Sequence, residues 1–199
     1  MKAFLAAVVM LQALITGDCI LCEKCLATST TQCSGIFKQC SPDVTHCVKG
    51  LENNTLGDTV VVTAFKDCMN PSQQAACGRE FHFQNSGFSL QISRTCCDSD
   101  FCNKGEVEVP AVDETPNGYM CDECLTDQSS ESCTPTGHVH CTGVQNTCST
   151  FYGSAIIPGG TMQPYSMKGC TTPDYCEIYY LVATLVDSYE LRCVPAQKQ

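Results

Sequence analysis

The chain has 199 residues, 19 of them cysteine, only 16% charged, and a formal net charge of -10. Cysteine at this density marks small extracellular domains held by disulfides and sets aside an ordinary cytosolic enzyme. No lysine or arginine cluster is present to neutralise phosphates, so nucleic acid and anionic membrane surfaces are excluded as partners; the acidic balance serves solubility or a basic partner.

Residues 1–17, MKAFLAAVVMLQALITG, place Lys2 before an apolar run that ends in small residues. This is the pattern of a secretory signal peptide. Nineteen cysteines are an odd number, so removal of residues 1–19, by cleavage after Cys19, is preferred because it leaves an even set. Cleavage after Gly17 would retain Cys19 and the odd count, with the option of linking two chains. A secreted, extracellular protein is expected.

The segment CEKCLATSTTQC at Cys22 to Cys33 returns as CDECLTDQSSESC at Cys121 to Cys133. First-unit cysteines stand at 22, 25, 33, 40, 47, 68, 77, 96, 97 and 102, second-unit cysteines at 121, 124, 133, 141, 148, 170, 176 and 193. This repeat divides the mature chain into residues 20–105 and 118–199, joined by an acidic, proline-bearing, cysteine-free linker at 106–117. The second unit stops after Cys193 without a final small cysteine loop. The two Cys-x-x-Cys openings also carry zinc spacing, but the secretory context and even pairing favour disulfides. His46, His82, His138 and His140 fall at unmatched positions.

Asn53-Asn54-Thr55 is an N-glycosylation sequon in a glycine-flanked segment expected to be exposed. The β-branched run DTVVVTAFKDC before Cys68 reads as a strand. In EFHFQNSGFSLQISRTCC, Phe81 and Phe83 alternate with polar residues, Asn85-Ser86-Gly87 supplies turn chemistry, and Phe88, Leu90 and Ile92 alternate again, which predicts a hairpin with one apolar face. The run IYYLVATLVDSYELRC before Cys193 reads as a further strand; its apolar part, Ile178 to Val186, is about half the length of a membrane helix. The C-terminal VPAQKQ lacks the apolar tail of a lipid-anchor signal, so no membrane anchor is expected. With no long amphipathic helix in view, the expected class is all-β and disulfide-rich. Each unit, at about eighty residues and with few large apolar side chains, needs covalent help; disulfides at about 2 to 4 kcal/mol apiece supply it.

Catalytic chemistry finds little support. The stretch RTCCDSDFCNKG, Arg94 to Gly105, has paired cysteines of the kind that precede the catalytic histidine of secreted phospholipases, but no histidine follows. Asp98 and Asp100 are a weak calcium signal beside the reading of a solvated loop, and His138 with His140 a weak metal pair beside that of surface histidines. No catalytic residue, metal or cofactor is expected. Candidate partner-binding positions are Ile156 and Ile157, in the apolar loop GSAIIPGG, and the strand segment Tyr179 to Val186, for which a place in the domain core is the competing reading.

The opening Leu21-Cys-x-x-Cys25, the ladder through Cys77 and the ending Cys96-Cys97-x4-Cys102-Asn103 resemble the three-finger fold of the urokinase receptor and lymphocyte antigen family. The resemblance implies two tandem three-finger domains with pairs Cys22–Cys47, Cys25–Cys33, Cys40–Cys68, Cys77–Cys96 and Cys97–Cys102, then Cys121–Cys148, Cys124–Cys133, Cys141–Cys170 and Cys176–Cys193. The two-domain plan is similar to the gamma-type phospholipase A2 inhibitors. Through LITGDC, LCEKC, PDVTHCV, GLENNTLG, AFKDC, ACGREF, SRTCCDSDFCN and VDETPNGY, the chain is identified as a member of the amphibian sodefrin precursor-like factors, secreted courtship pheromone proteins. These resemblances imply a non-enzymatic signal read by a chemosensory receptor, or alternatively an inhibitor that binds secreted phospholipase A2. Residues 177–191 carry no lysine or arginine, so no short peptide is released at a basic site before Arg192, and the intact protein is the expected active form.

Overall fold

The computed structural model describes residues 19–108, 111–129, 131–176 and 183–198. The signal-peptide assignment rests on residues 1–18, outside the described residues, and so do positions 177–182 of the last apolar run and two positions of the expected linker. The chain is all-β, and the helical segments among the described residues are two short 3-10 turns, Pro71–Ala76 and Pro173–Cys176.

Among the described residues, the first domain has six strands: β1 (Leu21–Thr28), β2 (Ile36–Gln39), β3 (His46–Leu56), β4 (Thr59–Met69), β5 (Phe81–Gln84) and β6 (Phe88–Cys97). The second has β7 (Pro116–Thr126), β8 (Gly137–Thr142), β9 (Thr147–Ile156), β10 (Gln163–Thr171), β11 (Leu185–Pro195) and β12 (Gln197–Lys198). β3 is central to its domain, antiparallel to β4 on one side and β6 on the other. The run Thr59-Val60-Val61-Val62-Thr63 favours the strand that returns from the turn at Gly57, a residue at φ 56°. The β5–β6 hairpin pairs Phe81 with Ile92 and Phe83 with Leu90. Its turn is fixed by the Asn85 side-chain oxygen, which accepts from the amides of Gly87 (2.9 Å) and Phe88 (2.8 Å).

Disulfides join Cys22–Cys47, Cys25–Cys33, Cys40–Cys68, Cys77–Cys96 and Cys97–Cys102 in the first domain, and Cys121–Cys148, Cys124–Cys133, Cys141–Cys170 and Cys176–Cys193 in the second. The sulfurs of Cys22, Cys40 and Cys68, and of Cys121, Cys141 and Cys170, lie within 4.8 Å of one another. Every one of these six is engaged in a disulfide and presents no thiolate to a metal. The zinc reading of the Cys-x-x-Cys openings is thereby corrected: Cys22 and Cys25 leave for different partners.

The two domains share one sheet. Its main path runs β11-β9-β10-β5-β6-β3-β4-β1-β2, so strands of the second domain continue directly from those of the first. They also share one apolar core, in which Phe65, Phe83, Phe88 and Ile92 join Phe151, Tyr165 and Met167. A unit with too little apolar surface of its own gains burial from its neighbour as well as from its cystines.

Candidate functional site

The seam between the domains concentrates the buried chemistry. β10 ends by pairing Cys170 with Gln84 and Thr171 with Phe83 of β5. Three donors converge on the His82 carbonyl: the Thr172 amide (3.0 Å), the Thr171 hydroxyl (3.0 Å) and the Gln145 side-chain amide (3.4 Å). Gly169 permits this approach, because a Cβ there would lie 2.2 Å from the Gln84 carbonyl oxygen. Asn85 adds a second task to its turn, donating to the carbonyls of Cys124 (3.2 Å) and Lys168 (3.1 Å). Arg79 and Asp174 pair across the rim at 2.6 Å.

Glu52 is fully buried in β3 and its carboxylate crosses the seam. It accepts from the amides of Ala183 and Thr184, both at 2.8 Å, and from the Thr184 hydroxyl at 2.7 Å, while Asn54 donates from its own strand at 2.9 Å. A carboxylate so supplied with donors is stable in the interior, and removing its partners would leave a costly buried charge. Burial, with the Glu52 charge and then Tyr189 behind it, pushes the Tyr175 hydroxyl up and keeps it protonated.

Beside these bonds lies an apolar cavity of about 270 Å³. Phe81, Phe88, Leu90 and Ile92 of the first domain form one wall; Phe151, Ala155, Ile157 and Met167 form the facing wall. Tyr175, Val186, Tyr189 and Leu191 complete it from the last strand and the turn before it. Outside the cavity, Arg94 stands over the Phe81 ring, 4.4 Å from its centroid.

Several sequence candidates are relocated. Ile157 is 5% exposed and belongs to the core, so it is not a surface-loop anchor. The inward alternation of β9 through Phe151, Gly153 and Ala155 carries it inside. Ile156 is half-buried at the end of β9 and pairs with Leu185. Of the segment Tyr179 to Val186, the part at 179–182 is outside the described residues, and Val186 packs on the core. Asn53 stands in the middle of β3, half-buried with its side-chain oxygen buried and without a hydrogen-bond partner. The expected exposed glycine-flanked segment is thus a strand between β4 and β6.

Other candidates have structural employment. Asp100 accepts the Leu21 amide at 2.8 Å, which removes it from an open calcium loop, while Asp98 is exposed. His138 and His140 are exposed on β8, and His138 is 3.1 Å from Asp122. His46 shares a bond with the Thr45 hydroxyl, and His82 is buried at the seam. The shared core and Glu52 bridge were missed in the sequence; the signal was present as alternating aromatics in β5 and β6 with more apolar surface than one small domain encloses.

Two three-finger-type β units with this cystine ladder define the class, and the u-PAR/Ly-6 domain model matches residues 19–105 and 117–193. The chain belongs to the u-PAR/Ly-6 family. It is 26% identical over 183 residues to phospholipase A2 inhibitor NAI of Notechis ater, covering 90% of this chain and 87% of that one. It is 27% identical over 196 residues to a phospholipase A2 inhibitor gamma chain of Elaphe climacophora, covering 94% and 92%. The crystal structure of mouse TEX101 aligns over 90% of this chain and 99% of that one, at 16% identity and a TM-score of 0.37.

Proposed function

We propose that the protein is a secreted, non-enzymatic signal acting as an intact disulfide-bonded chain, a courtship pheromone of the sodefrin precursor-like type read by a chemosensory receptor. Its working unit is the pair of domains, residues 20–105 and 118–199, with 106–117 between them. The observation that supports the intact form is β11. From Leu185 to Pro195 it is paired with β9, and Cys193 within it is tied to Cys176. Cutting a short peptide from this region would require breaking a strand out of the shared sheet as well as reducing a cystine. The sequence segments from LITGDC to VDETPNGY support the pheromone class.

The test applies purified oxidised protein to receptive females and records the sensory response, with mass spectrometry of the natural secretion alongside. The expected result is a response to the intact chain, its loss on reduction and alkylation, and a secreted mass equal to the full mature chain. A secreted C-terminal peptide in place of that chain would overturn the intact form. The reading includes a glycan on Asn53, attached before β3 is enclosed; an unchanged mass after glycosidase treatment would remove that part.

A second reading, a binding inhibitor of secreted phospholipase A2, is favoured by relatives whose similarity spans nearly the whole of both chains. Nanomolar inhibition of the enzyme without any sensory response would reverse the order of the two. Synthesis in male courtship glands supports the first, and synthesis in liver the second.

A further inference from the structure

The cavity at the seam has no part in either reading. Protein interiors are packed to the density of organic crystals, so an apolar space of about 270 Å³ is a large departure from the norm. With a water-sized group occupying about 30 Å³, it holds roughly nine such groups, and apolar cavities of about 150 Å³ already stay dry and admit benzene. It is too small for a partner's helix or strand and of the right order for a small molecule.

The chemistry of the wall narrows the ligand. Leu90, Ile92 and Phe88 face Ala155, Ile157 and Phe151, and among the described residues no acidic or basic side chain lines the space. The polar side chains on the described wall are two tyrosines and Thr184, whose hydroxyl is already bonded to Glu52 at 2.7 Å. A charged molecule entering here would lose its hydration and gain no counter-charge. An uncharged apolar one would replace missing dispersion contacts on both walls.

We propose that the space between the domains is a binding site for a small uncharged apolar molecule, a medium-chain alcohol, aldehyde or hydrocarbon of about eight to ten carbons. Both domains contribute a wall, so the site exists only in the two-domain chain. The inference is independent of the receptor and inhibitor readings, since its test needs neither partner.

The oxidised two-domain protein is titrated calorimetrically with 1-octanol and, separately, with octanoate at neutral pH. The expected result is one saturable site for octanol with a negative heat-capacity change, and octanoate at least about tenfold weaker. Ala155→Phe fills the cavity from the second domain, and Val186→Phe fills it from a less buried position. Each is checked for an unchanged disulfide map and an unchanged circular dichroism spectrum, and the folded variant loses octanol binding by about tenfold or more. No saturable octanol binding, equal binding of octanoate, or undiminished binding by a folded, cavity-filled variant would each overturn the proposal.

Discussion

In the first domain the fully buried side chain of Asn103 accepts the Glu23 amide at 2.8 Å and donates to the carbonyls of Glu23 (2.9 Å) and Val48 (3.1 Å). In the second, the buried side-chain amide of Gln145 donates across the seam to His82 at 3.4 Å as well as to Cys170 of its own domain at 3.5 Å. The same contrast recurs elsewhere. Lys66 reaches Glu23 at 2.9 Å and the Gly105 carbonyl at 2.6 Å, all within the first domain, whereas Thr184 of the second is held by Glu52 of the first. The repeat has copied the cystine frame while leaving the two copies with different needs for polar partners. The first domain closes on itself and serves as the template against which the second closes.

The sharpest way to break this comparison is to separate the halves. Expressed alone and refolded under oxidising conditions, residues 20–105 should give a dispersed amide NMR spectrum and a single disulfide map. Residues 118–199 alone should give a collapsed spectrum and mixed disulfides, because β10 loses β5, Thr184 loses Glu52, and the apolar wall at Phe151 and Met167 faces water. Independent folding of the second fragment would end the template account.

A smaller effect is expected from Lys66→Met, which strips a buried carboxylate of its cation. Breaking such a pair from one side costs about 3 to 5 kcal/mol, read as a lower denaturation midpoint at neutral pH, and adding Glu23→Gln should recover part of it. Burial on its own would raise the Glu23 carboxyl, but bonds from Lys66 and the Gly35 amide outweigh it and hold the group below the usual carboxylate value of 4.5. The contribution of Glu23 is therefore present above that value and is lost as pH falls through the lower folded one. In Lys66→Met this acid loss should weaken, because the stabilising partner is gone.

What the sequence disclosed follows from which interactions are local or periodic. The Phe81, Phe83, Phe88, Leu90 and Ile92 alternation and the Asn85 turn are written in neighbouring residues, and the hairpin they describe is β5–β6. Val60 to Val62 likewise marks β4 through β-branching. Glu52 carried no such signal: it stands in GLENNTLG like a solvated acid, and its partners are 131 and 132 positions away. Ile157 beside Pro158-Gly159-Gly160 looked like an exposed loop because the glycines mark a turn, but the turn begins only after β9 has delivered that side chain to the core. The sequon misled for the converse reason, since Gly50 and Gly57 bracket a strand: Gly50 is glycine because a Cβ would meet the Ser93 carbonyl oxygen at 2.3 Å.

The smallest expected effect tests the seam without disrupting it. Burial lowers the affinity of the His82 ring for a proton below the usual value of 6.5, with the Glu114 charge opposing in part. The folded chain thus prefers neutral His82, while the unfolded chain takes up a proton near 6.5, so stability is full above that pH and declines as pH falls through it toward the lower folded value. Nearby Glu80 has the opposite sign: burial, then the Asp113 charge, raises it above 4.5, so its folded form gains relative stability as it protonates. Its window lies lower, and the His82 effect is isolated by comparing denaturation midpoints between roughly pH 7.5 and 5.5 in the native chain and in His82→Gln. The native chain should lose stability across that interval and the variant should lose less. Equal slopes would mean that the ring takes up its proton without penalty, and that the seam at His82 is wetter than its burial indicates.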